Sequence, residues 1–277
     1  MRKIVRLMKN WQFIGPEGNT TPVDLPHTWN AIDGQDGGND YWRGTCVYRT
    51  RFAAPDFEEA SQQVWLQFEG VNASAKVILN GTEVCVHDGG YSTFRANITT
   101  LLREENILTV EVDNRVNDHV YPQKADFTFY GGIYRDVSLL VVHKDHIALG
   151  HYGDTGVKVT PTLCKDHTAD IRVETCLEGE GTVRVTLNDA EGKDVTMTLA
   201  HPHLWDGVKD PYLYTCVVEL EQGGEVVDTV STRVGIRSFR VDPKKGFFLN
   251  GRPYPLHGVS RHQDRKGLGN AITREMH

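Results

Sequence analysis

The chain has 277 residues, a length that suggests two domains. Its 39% hydrophobic and 24% charged residues exclude a disordered or collagen-like chain. The net charge of −7, from 30 basic and 37 acidic side chains, argues against a nucleic-acid partner, which selects a basic face. No run of 18 or more apolar residues occurs, so no membrane partner is expected. The start, Met1 to Asn10, is basic but develops no apolar core of a signal peptide, which reads as a mature, cytoplasmic protein. Five cysteines (Cys46, Cys85, Cys164, Cys176, Cys216) stand far apart. Their odd number and wide spacing point to buried free thiols within strands, not to a disulfide framework or a zinc site.

Strand signals dominate from the start of the chain. Val64, Leu66 and Phe68 alternate with Trp65 and Gln67, the period of a half-buried strand. Lys76 to Val86 reads as a hairpin closed by Asn80-Gly81, because both residues tolerate positive φ. Leu108, Val110 and Val112 alternate before a turn at Asp113-Asn114. Ile133 to Val142 ends almost continuously apolar, which predicts a strand buried on both faces. After Asp145, strand candidates recur about every dozen residues, the cadence of a β-sandwich. They are Val157 to Thr160, Ala169 to Leu177, Thr182 to Leu187, Tyr212 to Leu220 and Val226 to Val234. Beyond residue 240, Phe247 to Tyr254 reads as a small hairpin around Asn250-Gly251. Leu256 to Ser260 reads as a short buried strand, and Thr273 to His277 as the first turn of a helix capped by Thr273. A strand, a loop and a helix start make one βα unit, and a lone unit cannot cover its own apolar strand.

Six blocks in order carry a resemblance to the family 2 glycoside hydrolases. They are Leu25-Pro26-His27-Thr28-Trp29 with Asp40-Tyr41-Trp42-Arg43-Gly44; Phe68-Glu69-Gly70-Val71; Gly89-Gly90-Tyr91-Ser92-Thr93-Phe94; Asp126 to Val137; Trp205 with Asp210-Pro211-Tyr212; and Gly258-Val259-Ser260-Arg261-His262-Gln263-Asp264. The resemblance implies an all-β chain: a jelly-roll, galactose-binding-like sandwich over 1–146 and an immunoglobulin-like sandwich over 147–240. The start of a truncated (β/α)8 TIM barrel follows over 241–277. Gly131-Gly132-Ile133-Tyr134-Arg135-Asp136-Val137 is similar to the β-galactosidase branch, whereas glucuronidases carry an Asn-Tyr-Ala-Gly version of the block.

The chemistry that the resemblance implies is hydrolysis with retention, which uses an acid/base and a nucleophilic carboxylate about 5–5.5 Å apart. In the family both are glutamates on later barrel strands, at the face where barrel active sites lie. No such motif occurs here, so the expectation is the non-catalytic front of a β-galactosidase, inactive alone. No catalytic residue and no cofactor are assigned to it, and Mg or Na ions belong to the parent. The expected partners are a β-galactoside, the missing barrel and identical subunits. Two substrate-binding residues are implied. His262 would project from the end of the first barrel strand and exchange hydrogen bonds with a sugar hydroxyl without ionising. Asp126 would reach from the first domain into the sugar pocket. The bland reading of Asp126 is a loop anchor before an aromatic stretch, and that of His262 is ordinary solvated polar sequence. His27 reads as a packing residue, and Trp29, Tyr41, Trp42 and Tyr91 as core or interface before sugar platform. A carbohydrate-binding module without hydrolysis, a glucuronidase or mannosidase front, and a scaffold piece stay open beside the leading reading.

Overall fold

The computed structural model describes residues 2–33, 41–122, 125, 127–150, 153–164 and 167–277. The glycine- and acid-rich stretch Asp33 to Gly38, which the sequence reads as a loop, lies outside the described residues beyond Asp33. The chain divides into two compact units: residues 2–142 together with 261–277, and residues 143–260.

Among the described residues, twelve strands build the first unit: β1 (Lys3–Arg6), β2 (Trp11–Ile14), β3 (Thr20–Val23), β4 (Thr45–Ala53), β5 (Gln62–Phe68), β6 (Val71–Asn72), β7 (Ser74–Leu79), β8 (Thr82–Asp88), β9 (Phe94–Asn97), β10 (Glu105–Asp113), β11 (Gly132–Ile133) and β12 (Val137–His143). They form a six-stranded sheet ordered β3-β2-β4-β10-β7-β8, a four-stranded sheet ordered β1-β12-β5-β9, and a short β11-β6 pair. Alternation along each strand turns one face inward. Cys46, Tyr48, Thr50 and Phe52 of β4, and Leu108, Val110 and Val112 of β10, are buried while their neighbours face outward or stay half-buried. Val64, Leu66 and Phe68 of β5 and Val137, Leu139 and Val141 of β12 join the same core from the other sheet. Each such side chain contributes about 1.5–3 kcal/mol on burial. The expected β12 is apolar on both faces, and Ser138, Leu140 and Val142 are buried with the rest. The Asn80-Gly81 turn joins β7 to β8 with φ of 53° and 85°, the type I′ signature read from the sequence.

The second unit opens with β13 (His146–Ile147), β14 (Val157–Leu163), β15 (Thr168–Thr175), β16 (Leu177–Glu178), β17 (Thr182–Asn188), β18 (Asp194–Val195) and β19 (Thr198–Ala200). It continues with β20 (Tyr214–Gln222), β21 (Glu225–Val234), β22 (Phe239–Asp242), β23 (Gly246–Leu249) and β24 (Arg252–Pro253). Sheets β14-β15-β19 and β18-β17-β20-β21 enclose a core that includes Ile171, Leu187, Leu199, Cys216, Val218 and Leu220. Pro161 sits on β14, an edge strand, where its missing N–H costs no ladder bond. Gly223-Gly224, with φ of 61° and 86°, closes the β20-β21 hairpin.

Four local expectations fail. Leu256 to Ser260 is not a buried strand: Leu256 is 71% and Val259 92% exposed, and no other strand among the described residues lies beside them to supply a ladder. No βα unit forms over 241–277. Thr273 makes no side-chain cap, and the chain beyond it forms a three-residue 3-10 turn, Arg274–Met276. Cys176 is exposed, since its position between β15 and β16 faces outward; Cys46 and Cys216 are buried and Cys85 and Cys164 half-buried, all as free thiols. Among the described residues, no helix is long and apolar enough to cross a membrane.

Candidate functional site: a polar-floored cleft in the first unit

A cleft of about 320 Å³ opens in the first unit, within the size range of small-ligand sites. Asn72, Tyr130, Asp264 and Asn270 line it, and His262 stands in its wall. Two chain segments far apart in sequence meet here. One is the stretch Phe127 to Arg135 that leads into β11 and β12, and the other is the tail from Arg261 onward.

The contacts that shape the floor start from glycines. Gly131 and Gly132 let the chain pass where a Cβ would strike the Trp29 ring or the His27 carbonyl. That close passage places Thr28, whose hydroxyl donates to the Gly131 carbonyl over 2.7 Å, and Asn30, whose Oδ1 accepts from the Gly131 amide over 2.8 Å. Asn72 Nδ2 donates to the Tyr130 carbonyl over 2.6 Å. The Tyr130 hydroxyl donates to Asp264 Oδ2 over 2.9 Å and so ties the tail to the floor. Asn72 is only 1% exposed, and its Oδ1 has no hydrogen-bond partner. Asn270 Oδ1 is likewise buried without one. Two unsatisfied acceptors beside one cleft are costly unless a ligand or water supplies donors.

Above the floor the Gly89 to Ser92 loop is pinned from three sides. Gly89 N–H donates to the Ala73 carbonyl over 3.0 Å, and Tyr134 Oη donates to the Gly90 carbonyl over 2.6 Å. Arg135 reaches the Tyr91 carbonyl at 3.3 Å. Burial pushes the Tyr134 hydroxyl up to about 12, so it stays a donor at neutral pH. Burial also raises Tyr91 above the ordinary phenol range, with Tyr41 adding to the shift and Arg43 opposing it.

Of the two binding residues expected from the sequence, His262 is an exposed lining residue of this cleft. Asp126 lies outside the described residues. The packing role expected of His27 matches its surroundings: its Nδ1 lies 2.7 Å from the Tyr48 hydroxyl beneath Phe13. Trp29 packs against Phe13 and Trp42 and stays out of the cleft, whereas Tyr91 lines it. Asn72, Tyr130 and Asp264 were not singled out in the sequence. Each lies in or beside a recognised block, but only the fold reveals that they share a cleft. Among the described lining residues Asp264 is the one carboxylate, and no three His, Cys, Asp or Glu side chains among the described residues could hold a metal ion.

Comparisons with known proteins cover both units. Residues 19–143 match the family model described as glycosyl hydrolases family 2, sugar binding domain, and residues 154–237 match glycosyl hydrolases family 2. A β-glucuronidase of Bacteroides fragilis is 34% identical over all of this chain and 44% of its own length. The β-galactosidase BoGH2A of Bacteroides ovatus is 32% identical over 91% of this chain and 32% of its own length. Among solved structures, an FMN-binding β-glucuronidase from Faecalibacterium prausnitzii L2-6 superposes with a TM-score of 0.93 at 38% identity, covering 100% of this chain and 46% of that one. A putative β-galactosidase from Bacteroides fragilis superposes with a TM-score of 0.93 at 35% identity, covering 99% and 47%. The chain spans less than half the length of each of these proteins.

Proposed function

This chain belongs to glycosyl hydrolase family 2, and from that premise we propose that it forms the sugar-facing front of a retaining β-glycosidase. The observation that carries the reading is the cleft. Its floor offers a neutral amide pair, a phenol and a carboxylate, the groups that exchange hydrogen bonds with sugar hydroxyls. His262 and Asp264 come to it from the tail, so sugar recognition draws on both ends of the first unit's sequence. Asp126, next to the cleft residue Phe127 in the chain, is the second residue we assign to sugar binding.

Cleavage needs a carboxylate pair, and Asp264 alone cannot serve as both acid/base and nucleophile. We assign that pair to a (β/α)8 barrel continuing from residues 241–277. β-Glucuronides are the first substrate class we put forward. Relatives named β-glucuronidase are 34% identical in sequence and 38% in a superposed structure. The cleft also gathers Arg135, Arg261, His262 and His277 around one carboxylate, a lining suited to an anionic sugar. β-Galactosides are the second reading, favoured by the Gly131 to Val137 block and by relatives named β-galactosidase at 32% and 35% identity.

The test is hydrolysis of 4-nitrophenyl β-D-glucuronide and β-D-galactoside by this chain alone and by the same protein continued through a complete barrel. We expect silence from the chain alone and turnover by the longer protein, faster on the glucuronide. Turnover by the chain alone would overturn the division of labour. Preference for the galactoside would select the second reading. Silence of the longer protein on both sugars would remove both.

A further inference from the structure

Polar groups deep in the cleft give way to aromatic groups at its mouth. Asn72 and Tyr130 are 1% and 6% exposed, whereas Tyr91 and Phe127, lining the same cleft, keep 44% and 38% of their surface open to solvent. Exposed aromatic rings are costly in water, and two beside one cleft mark a surface that gains by being covered.

Both rings are held from behind. Phe127 lies 5.1 Å from Phe129, centroid to centroid. The Arg43 guanidinium sits 4.6 Å over the Phe129 ring and 5.2 Å over Tyr41, and the Tyr41 hydroxyl accepts from the Phe129 amide over 3.2 Å. A cation between two rings stiffens such a stack. Tyr91 is carried by the loop that Ala73, Tyr134 and Arg135 fix through the three hydrogen bonds described above. In addition, a Cβ on Gly90 would overlap Asn72 Oδ1, so the loop rests directly on the cleft floor. A pre-set ring loses little entropy when a ligand covers it.

We propose that Tyr91 and Phe127 form an aglycone wall, and that this front selects glycosides of flat, aromatic aglycones. The inference rests on the reading of the polar floor as the sugar site. With the sugar hydroxyls on the floor, the group across the glycosidic bond points to the mouth, where these two rings offer apolar faces. Neither ring touches the bond that breaks; they set which substrates are held.

The experiment measures binding of phenyl β-D-glucuronide, methyl β-D-glucuronide and free 4-nitrophenol to the full 277-residue chain by ligand-detected NMR titration. Stacking on aromatic side chains is worth roughly a threefold to tenfold gain in affinity. The phenyl glycoside should bind tighter than the methyl glycoside by that factor. A Tyr91→Ala, Phe127→Ala double variant should erase the gain and leave the methyl glycoside unchanged, while Tyr91→Phe should keep it. Thermal melting checks the fold, and the two single alanine variants are read instead if the double variant melts early. A phenyl preference that survives the alanine substitutions overturns the wall, as does a parent chain that binds phenyl and methyl glycosides alike, or one that binds no aryl ligand. If the aryl ligands bind through these rings but the methyl glycoside does not bind, the wall stands and the sugar-site reading fails.

Discussion

His27 shows how one side chain links the block Leu25 to Trp29 to the stability of the first unit. Its ring is half-buried between Phe13 and Tyr48, and burial lowers its proton affinity to about 4 from an ordinary 6.5. The unfolded chain therefore takes up a proton near pH 6.5 while the folded chain resists until about pH 4. Stability is full above pH 6.5 and falls as pH drops through that window, by about 2–3 kcal/mol from this residue. Thermal melts across the window should show the fall, and a His27→Gln variant should show a shallower one. Equal slopes in the two proteins would assign the acid sensitivity to other groups. His262 has no such enclosure: it is exposed at the cleft wall, free to meet a ligand.

At the level of elements, the block Gly131 to Val137 has a physical reason for its glycines. Gly132 has φ of 142°, and a Cβ there would lie 2.9 Å from Thr28 Cα and closer still to the His27 carbonyl. Both obstacles are backbone, so neither can swing aside. Gly132→Ala should cost at least about 2–3 kcal/mol, read as a loss in denaturant midpoint, because strain and overpacking combine. A stability within about 0.5 kcal/mol of the parent, the usual range of a neutral surface change, would contradict this account. Most elements that were legible in the sequence share a cause, a two-residue period or a turn that demands positive φ, while β12 was read from its continuous apolar run. Val64 to Phe68, Leu108 to Val112, Asn80-Gly81 and Asn250-Gly251 all have such a period or turn. Of the elements not read from the sequence, β4 does alternate, with Cys46, Tyr48, Thr50 and Phe52 buried, whereas β1 lacks any such signal. Lys3 to Arg6 forms β1 with Ile4 63% exposed, and only its pairing with β12 makes it a strand. The cleft was legible by halves for a related reason. His262 sits in a recognisable string, but the Tyr130–Asp264 bond joins residues 134 apart, and no local pattern encodes such a meeting.

At the scale of the molecule, residues 241–277 part company. Residues 239–253 form a three-stranded sheet of the second unit, while Arg261 onward packs with the first. Between them Leu256 and Val259 expose apolar side chains that a globular protein ordinarily buries. Among the described residues, no amide from Leu256 through Asp264 donates to a backbone carbonyl. Protection from hydrogen exchange requires a bonded amide held away from water, so this stretch should exchange within the dead time of a manual mixing experiment. Val110 and Leu139, buried in the paired strands β10 and β12, should exchange only through opening of the first unit. In the protein continued through a barrel, neighbouring strands would give Leu256 to Val259 both a ladder and a cover, and their amides should slow by orders of magnitude. Slow exchange of this stretch in the 277-residue chain itself would mean that something other than a barrel covers it. A concentration-dependent slowing would identify that cover as a second copy of the chain. A stretch that stays fast in the longer protein would remove the argument that its apolar side chains await a barrel.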